Sequence, residues 1–199
     1  MTSMSGSSGV EEGTHRFLFD FDAYERMAEI GVFENKPGRV ELIEGVVVDM
    51  APAGMDHTKV NSDLLVRLHA AVAAEAIKGV DVLSNGTLRI DDLSAPEPDV
   101  FIARPPAEGK YYLARDALLV VEVSVSTRDA DRKVKVPLYA RAAVPELWLV
   151  EPETRTVRIY RRPRPDGGWD QEALVTSGVL SPLFAPGIEI ALADVFPAA

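Results

Sequence analysis

The chain has 199 residues, 47% of them hydrophobic and 26% charged, with a net charge of −10 and no cysteine. That length suits one domain with short appendages, and no disulfide or thiolate chemistry is open to it. The acidic balance argues against a protein that coats nucleic acid through a general excess of cations.

No apolar run approaches the ~18 residues of a membrane span, so no membrane partner is expected. Met1 to Glu12 has neither a basic start nor an apolar stretch, and does not read as a signal peptide. Cytoplasmic residence is the expectation. Residues 1–13 are rich in Ser and Gly and read as a disordered arm, with one domain over 14–199.

Phe21–Ile30 reads as a helix capped by Asp20 or Asp22. Val40–Ile43 and Val46–Met50 read as strands around a tight Glu44-Gly45 turn. The apolar stripe of Val60, Leu64, Leu65, Leu68, Val72 and Ile77 predicts a long helix over Thr58–Ile77. Val80–Leu83 and Thr87–Ile90 flank Asn85-Gly86, which predicts a second hairpin. Val100–Ala103 is a short strand. Tyr111 and Tyr112, in the following loop, are expected to pack on the body.

Leu118–Val123 is a nearly unbroken apolar run, the mark of a strand covered on both faces. Asp129–Ala142 reads as a helix with Pro137 inside it. Pro145–Val150, Val157–Tyr160 and Trp169–Leu174 complete the strands. Helices separate several strands, so the fold class is α/β or α+β.

Two acids break the apolar pattern. Asp99 precedes one strand and Glu122 interrupts another. A buried carboxylate is costly unless paired, hydrogen-bonded or bound to a cation. If the two strands are neighbours, both acids converge at one end of the sheet. Mg²⁺ or Mn²⁺ could then sit on carboxylate and phosphate oxygens. A salt bridge or a solvated strand end is the alternative.

Asp131, Lys135 and Tyr139 follow at four-residue steps and share a helix face. Lys135 could offset charge developing on a phosphate, with Asp131 positioning it. Otherwise Asp131 and Lys135 are a surface ion pair. Glu41 lies on one face of its strand and is a third candidate ligand. Glu44 is more readily a turn residue. His57, at the start of the long helix, could orient a carboxylate or contact phosphate, or lie exposed to water. Ser124, Ser126 and Thr127 read as capping and loop residues. Two basic clusters stand out, one of Arg155, Arg158, Arg161, Arg162 and Arg164, the other of Arg128, Arg132, Lys133 and Lys135. Walker loops, serine elbows and paired zinc histidines are absent.

The segments Arg39–Gly45, Pro98-Asp99, Leu118–Thr127 and Val144–Pro152, with His57, Asp131, Lys135 and Tyr139, resemble the Uma-type family of restriction-endonuclease-like proteins. That family resembles a branch of the PD-(D/E)XK nuclease superfamily. The resemblance covers residues 17–195. It implies a central mixed β-sheet flanked by helices, a divalent metal (Mg²⁺ or Mn²⁺) and hydrolysis of DNA phosphodiesters. Asp99 matches the motif aspartate and Glu122 the acidic member of the (D/E)XK element. Ser124 stands where the motif lysine is usual, and Lys135 matches a lysine displaced onto the next helix. Glu41 and His57 match the family's early glutamate and histidine. Ser124-Val125-Ser126 stands where serine-proline-serine is common. A non-catalytic binding or assembly protein on the same scaffold is the rival expectation, and a homodimer the expected assembly.

Overall fold

The structure is a computed structural model that describes residues 15–35, 38–124 and 129–196, without the side chains of 129–132. The Ser/Gly-rich arm, Ser126, Thr127 and the side chain of Asp131 lie outside the described residues. Among the described residues, no helix is long and apolar enough to cross a membrane.

Asp20 caps α1 (Phe21–Glu29) by accepting a hydrogen bond from the Ala23 amide. Strands β1 (Val40–Ile43) and β2 (Val46–Asp49) then form an antiparallel hairpin. Both turn residues, Glu44 and Gly45, have positive φ (49° and 77°), as a two-residue type I′ turn requires. Phe21 and Tyr24 pack against Leu42 of β1. The opposite face of β1 carries Glu41, which is fully buried.

Helix α2 (Met55–Ala74) begins three residues earlier than its apolar stripe predicts. His57 therefore falls inside the first turn, on the stripe that continues through Val60, Leu64, Leu68 and Val72. That register buries the imidazole, which is 4% exposed, rather than leaving it in water.

The predicted hairpin around Asn85-Gly86 does not form. Strand β3 (Asp81–Leu83) pairs instead with β5 (Val100–Ala103), and β4 (Leu88–Arg89) pairs in parallel with β6 (Tyr112–Leu113) in a separate ladder. Asn85 has positive φ and Gly86 does not, so a type I′ reversal is lost. The Asn85 amide bonds the Pro98 carbonyl, and the chain leaves the sheet there. Tyr111 meets Phe21 edge-on at 5.0 Å, and Tyr112 meets Phe101 at 5.6 Å.

Strand β7 (Ala117–Val123), helix α3 (Asp129–Arg141) and strand β8 (Glu146–Glu151) form a parallel crossover unit. Strands β9 (Thr156–Pro163) and β10 (Trp169–Val175) add antiparallel neighbours. The central mixed sheet has the order β10-β9-β8-β7-β5-β3. A small ladder of β11 (Val179–Leu180) and β12 (Ile190–Ala191), with α4 (Leu192–Val195), closes the chain.

Alternation along β7 divides the core. Leu119, Val121 and Val123 pack with the α2 stripe and with Trp148. Val120 packs on the other face with Tyr139, Leu147 and Leu149. Glu122 shares the Val120 face and so points toward α3. The result is an α+β fold, a central mixed sheet flanked by helices.

Candidate active site

Register brings the two expected acids together. Val100, which follows Asp99, pairs with Val121, which precedes Glu122. Asp99 and Glu122 line one cavity of about 40 Å³ with Arg39, His57, Lys135 and Tyr139. A water needs roughly 10–15 Å³ of such space, so the cavity suits an ion with one or two waters.

Asp99 is 2% exposed and heavily partnered. Its Oδ2 accepts from the Val123 amide at 2.8 Å and lies 3.1 Å from His57 Nε2. The carboxylate acceptor makes Nε2 the donor. Oδ1 accepts from Arg39 Nη2 at 3.1 Å. Burial alone would raise this acid. The His57 hydrogen bond and charge, the Val123 amide and Arg39 outweigh it and hold Asp99 below the usual range. Its backbone is tied too, since Ser84 Oγ donates to the Asp99 carbonyl at 2.7 Å.

Glu122 is poised differently. Tyr139 donates to its Oε1 at 2.6 Å, and Lys135 Nζ lies 3.4 Å from the same oxygen. The contacts described for this carboxylate all fall on Oε1. Burial raises Glu122 to about 7, with Lys135 and Tyr139 opposing and Asp99 and Glu41 adding to the rise. Three acids therefore crowd a site in which one takes up a proton near neutrality.

Lys135 joins the acids. Its Nζ donates to Glu41 Oε1 at 3.0 Å and lies 2.8 Å from Oε2. Burial pulls the ammonium down, but Glu122 and Glu41 outweigh it and hold Lys135 protonated above the ordinary range. Tyr139, one helical turn beyond, is raised well above its usual value by burial and by Glu122. Glu97, half-buried nearby, is raised by burial and by Glu41.

The structure thus brings Glu41, His57, Asp99, Glu122, Lys135 and Tyr139 together. It leaves Glu44 outside, in the exposed turn, paired with Arg141. Arg39 and Ser84 are site residues that the sequence reading did not single out. Arg39 lies just before β1, two positions from Glu41, and reaches Asp99 60 positions away.

The basic cluster of 155–164 is largely committed to other partners. Arg158 pairs with Glu172, Arg161 with the buried Glu146, and Arg164 with Asp166 and Asp170. The Arg155 guanidinium lies over the Phe196 ring.

For a divalent cation the donor chemistry fits in part. Among the described residues, no three His, Asp or Glu side chains form a group that could hold a metal ion. Two carboxylates, Asp99 and Glu122, do line one cavity. Mg²⁺ commonly takes one or two carboxylates and completes its shell with water and phosphate oxygens. Asp99 and Glu122 would supply that pair. Glu41 is held by Lys135.

A family model described as "Uma2: Putative restriction endonuclease" matches residues 21–193, and the chain belongs to that family. Among solved structures, the chain is similar to one from Anabaena variabilis ATCC 29413, described as a "putative nuclease belonging to DUF820". The two share 17% identity and a TM-score of 0.65, over 82% of this chain and 94% of the other. That likeness is one of fold. No curated protein matches the chain.

Proposed function

We propose that this protein is a metal-dependent endonuclease that hydrolyses DNA phosphodiester bonds on a restriction-endonuclease-like fold. The observation that carries the reading is the position of Lys135 Nζ, between Glu41 and Glu122 and on the cavity that Asp99 lines. Buried acids, a fixed ammonium and a cavity of ion size are the parts phosphodiester hydrolysis needs.

Asp99 and Glu122 would hold Mg²⁺ or Mn²⁺. When bound, the ion supplies Lewis-acid polarisation of the phosphoryl oxygen. The chain's own residues do the rest. The Val123 amide and His57 Nε2 fix the Asp99 carboxylate. Tyr139 holds Glu122 by Oε1, and among the described residues no contact falls on Oε2. Glu41 anchors Lys135, whose charge offsets that developing on the phosphate. Asp131, one helical turn before Lys135 in the sequence, would position it.

The test incubates the purified protein with plasmid, single-stranded and branched DNA in Mn²⁺, beside an Asp99→Ala control. Cleavage by the wild type alone supports the proposal. Equal, background-level cleavage by both on every substrate contradicts it.

A non-catalytic binding protein is the second reading, favoured by the full engagement of Asp99 and the net charge of −10. Calorimetry showing no uptake of either cation would select it. A homodimer remains part of the proposal, and light scattering that gives a 21.6 kDa particle would remove it.

A further inference from the structure

Asp99 makes three side-chain contacts of unequal permanence. Oδ2 is held by a backbone amide and by an imidazole that is 4% exposed. Neither can leave without disturbing β7 or α2. Among the described residues, Oδ1 is held by Arg39 alone, whose side chain is 31% exposed. Any cation that takes Asp99 from the cavity must do so at Oδ1, and Arg39 is the partner able to yield.

The surroundings give the guanidinium somewhere to go. Arg39 also lines a larger groove of about 380 Å³ beside the cavity, with Thr58, Asn61 and Asn85. Its Nη1 contacts Asn85 Oδ1, on the groove wall, and, at 3.4 Å, the Glu97 carbonyl. A dication on Oδ1 would repel a guanidinium on the same oxygen, and Arg39, at 31% side-chain exposure, has more freedom to move than Lys135 at 9%.

We propose that Arg39 is an internal counter-cation that holds Asp99 in the metal-free protein and competes with a divalent ion for Oδ1. This rests on the metal-dependent reading above. Arg39 is therefore a positioning residue. It holds the buried carboxylate in place in the metal-free protein and would turn into the adjoining groove when a cation takes Oδ1. The arrangement makes metal affinity in the absence of nucleic acid weaker than the acids alone would give.

The test is Mn²⁺ binding to the full chain without DNA, read by electron paramagnetic resonance of free Mn²⁺. Wild type, Arg39→Ala and Arg39→Lys are compared, with circular dichroism to show that each is folded. Removing the competing charge should tighten Mn²⁺ binding by roughly fivefold or more in Arg39→Ala. Arg39→Lys, which keeps the charge, should fall between the other two. In thermal melts without metal, Arg39→Ala should be the less stable protein, and Mn²⁺ should raise its Tm more than it raises that of the wild type. Binding to Arg39→Ala no tighter than to wild type overturns the role of Arg39 and leaves the nuclease reading standing. No Mn²⁺ uptake by any of the three overturns both.

Discussion

Lys135 Nζ lies 2.8 Å from Glu41 Oε2, although the two residues are 94 positions apart in the chain. The pair ties the first hairpin to the crossover helix α3. Its side chains are 0% and 9% exposed, so neither charge has water to fall back on. Lys135→Met would leave Glu41 buried and unpaired. A loss of about 3–5 kcal/mol in urea unfolding is expected at neutral pH. The double variant Glu41→Gln, Lys135→Met should recover part of that loss, because it removes the orphaned charge as well.

The pH dependence of stability should carry the mark of Glu122. Its folded value is about 7, raised chiefly by burial. In the unfolded chain it returns to about 4.3. Between those values the native state binds more protons than the unfolded state, so this group's contribution falls as pH rises through the window. The sign is opposite to that of Asp99, whose lowered value places its contribution at more acid pH. Urea unfolding of wild type and Glu122→Gln from about pH 5 to pH 8 isolates the effect. The glutamine variant should gain stability relative to wild type as pH increases across that range.

Tyr139 separates packing from charge. Its ring belongs to the core on the α3 side of the sheet, while its hydroxyl donates to Glu122. Tyr139→Phe keeps the ring and removes the donor. The hydrogen bond opposes the rise at Glu122, so its loss should move the Glu122 titration to higher pH. Under the proposed function, the pH midpoint of DNA cleavage should move the same way, which a pH–rate profile measures.

Glu146 and Glu122 show how far sequence reading reaches. Each is an acid within an apolar strand, and the pattern in the chain is the same. Glu146 is saturated: Oε1 accepts from Arg161 Nε at 2.8 Å and Trp148 Nε1 at 2.9 Å, and Oε2 accepts from the Leu183 amide at 2.6 Å. Glu122 is not. An acid in an apolar run marks a costly position, but only its partners tell architecture from chemistry. Lys135 and Tyr139 were legible because helix periodicity is local. Arg39 was harder to see, because its contact with Asp99 spans 60 positions. The Asn85-Gly86 turn misled because strong local turn chemistry lost to the pairing of β3 with β5.

Arg161→Met should therefore destabilise the fold without touching the candidate site. It leaves Glu146 buried with one charge partner fewer, and about 3–5 kcal/mol is the expected loss. Mn²⁺ binding, measured below the unfolding transition, should be unchanged.

The most direct test of the central claim is the anomalous scattering of crystals grown with Mn²⁺. A single strong peak in the cavity, within about 2.2 Å of oxygens of both Asp99 and Glu122 and absent from Asp99→Asn crystals, is the predicted result. A peak bound elsewhere, or none while Asp99 keeps Arg39, would contradict the account.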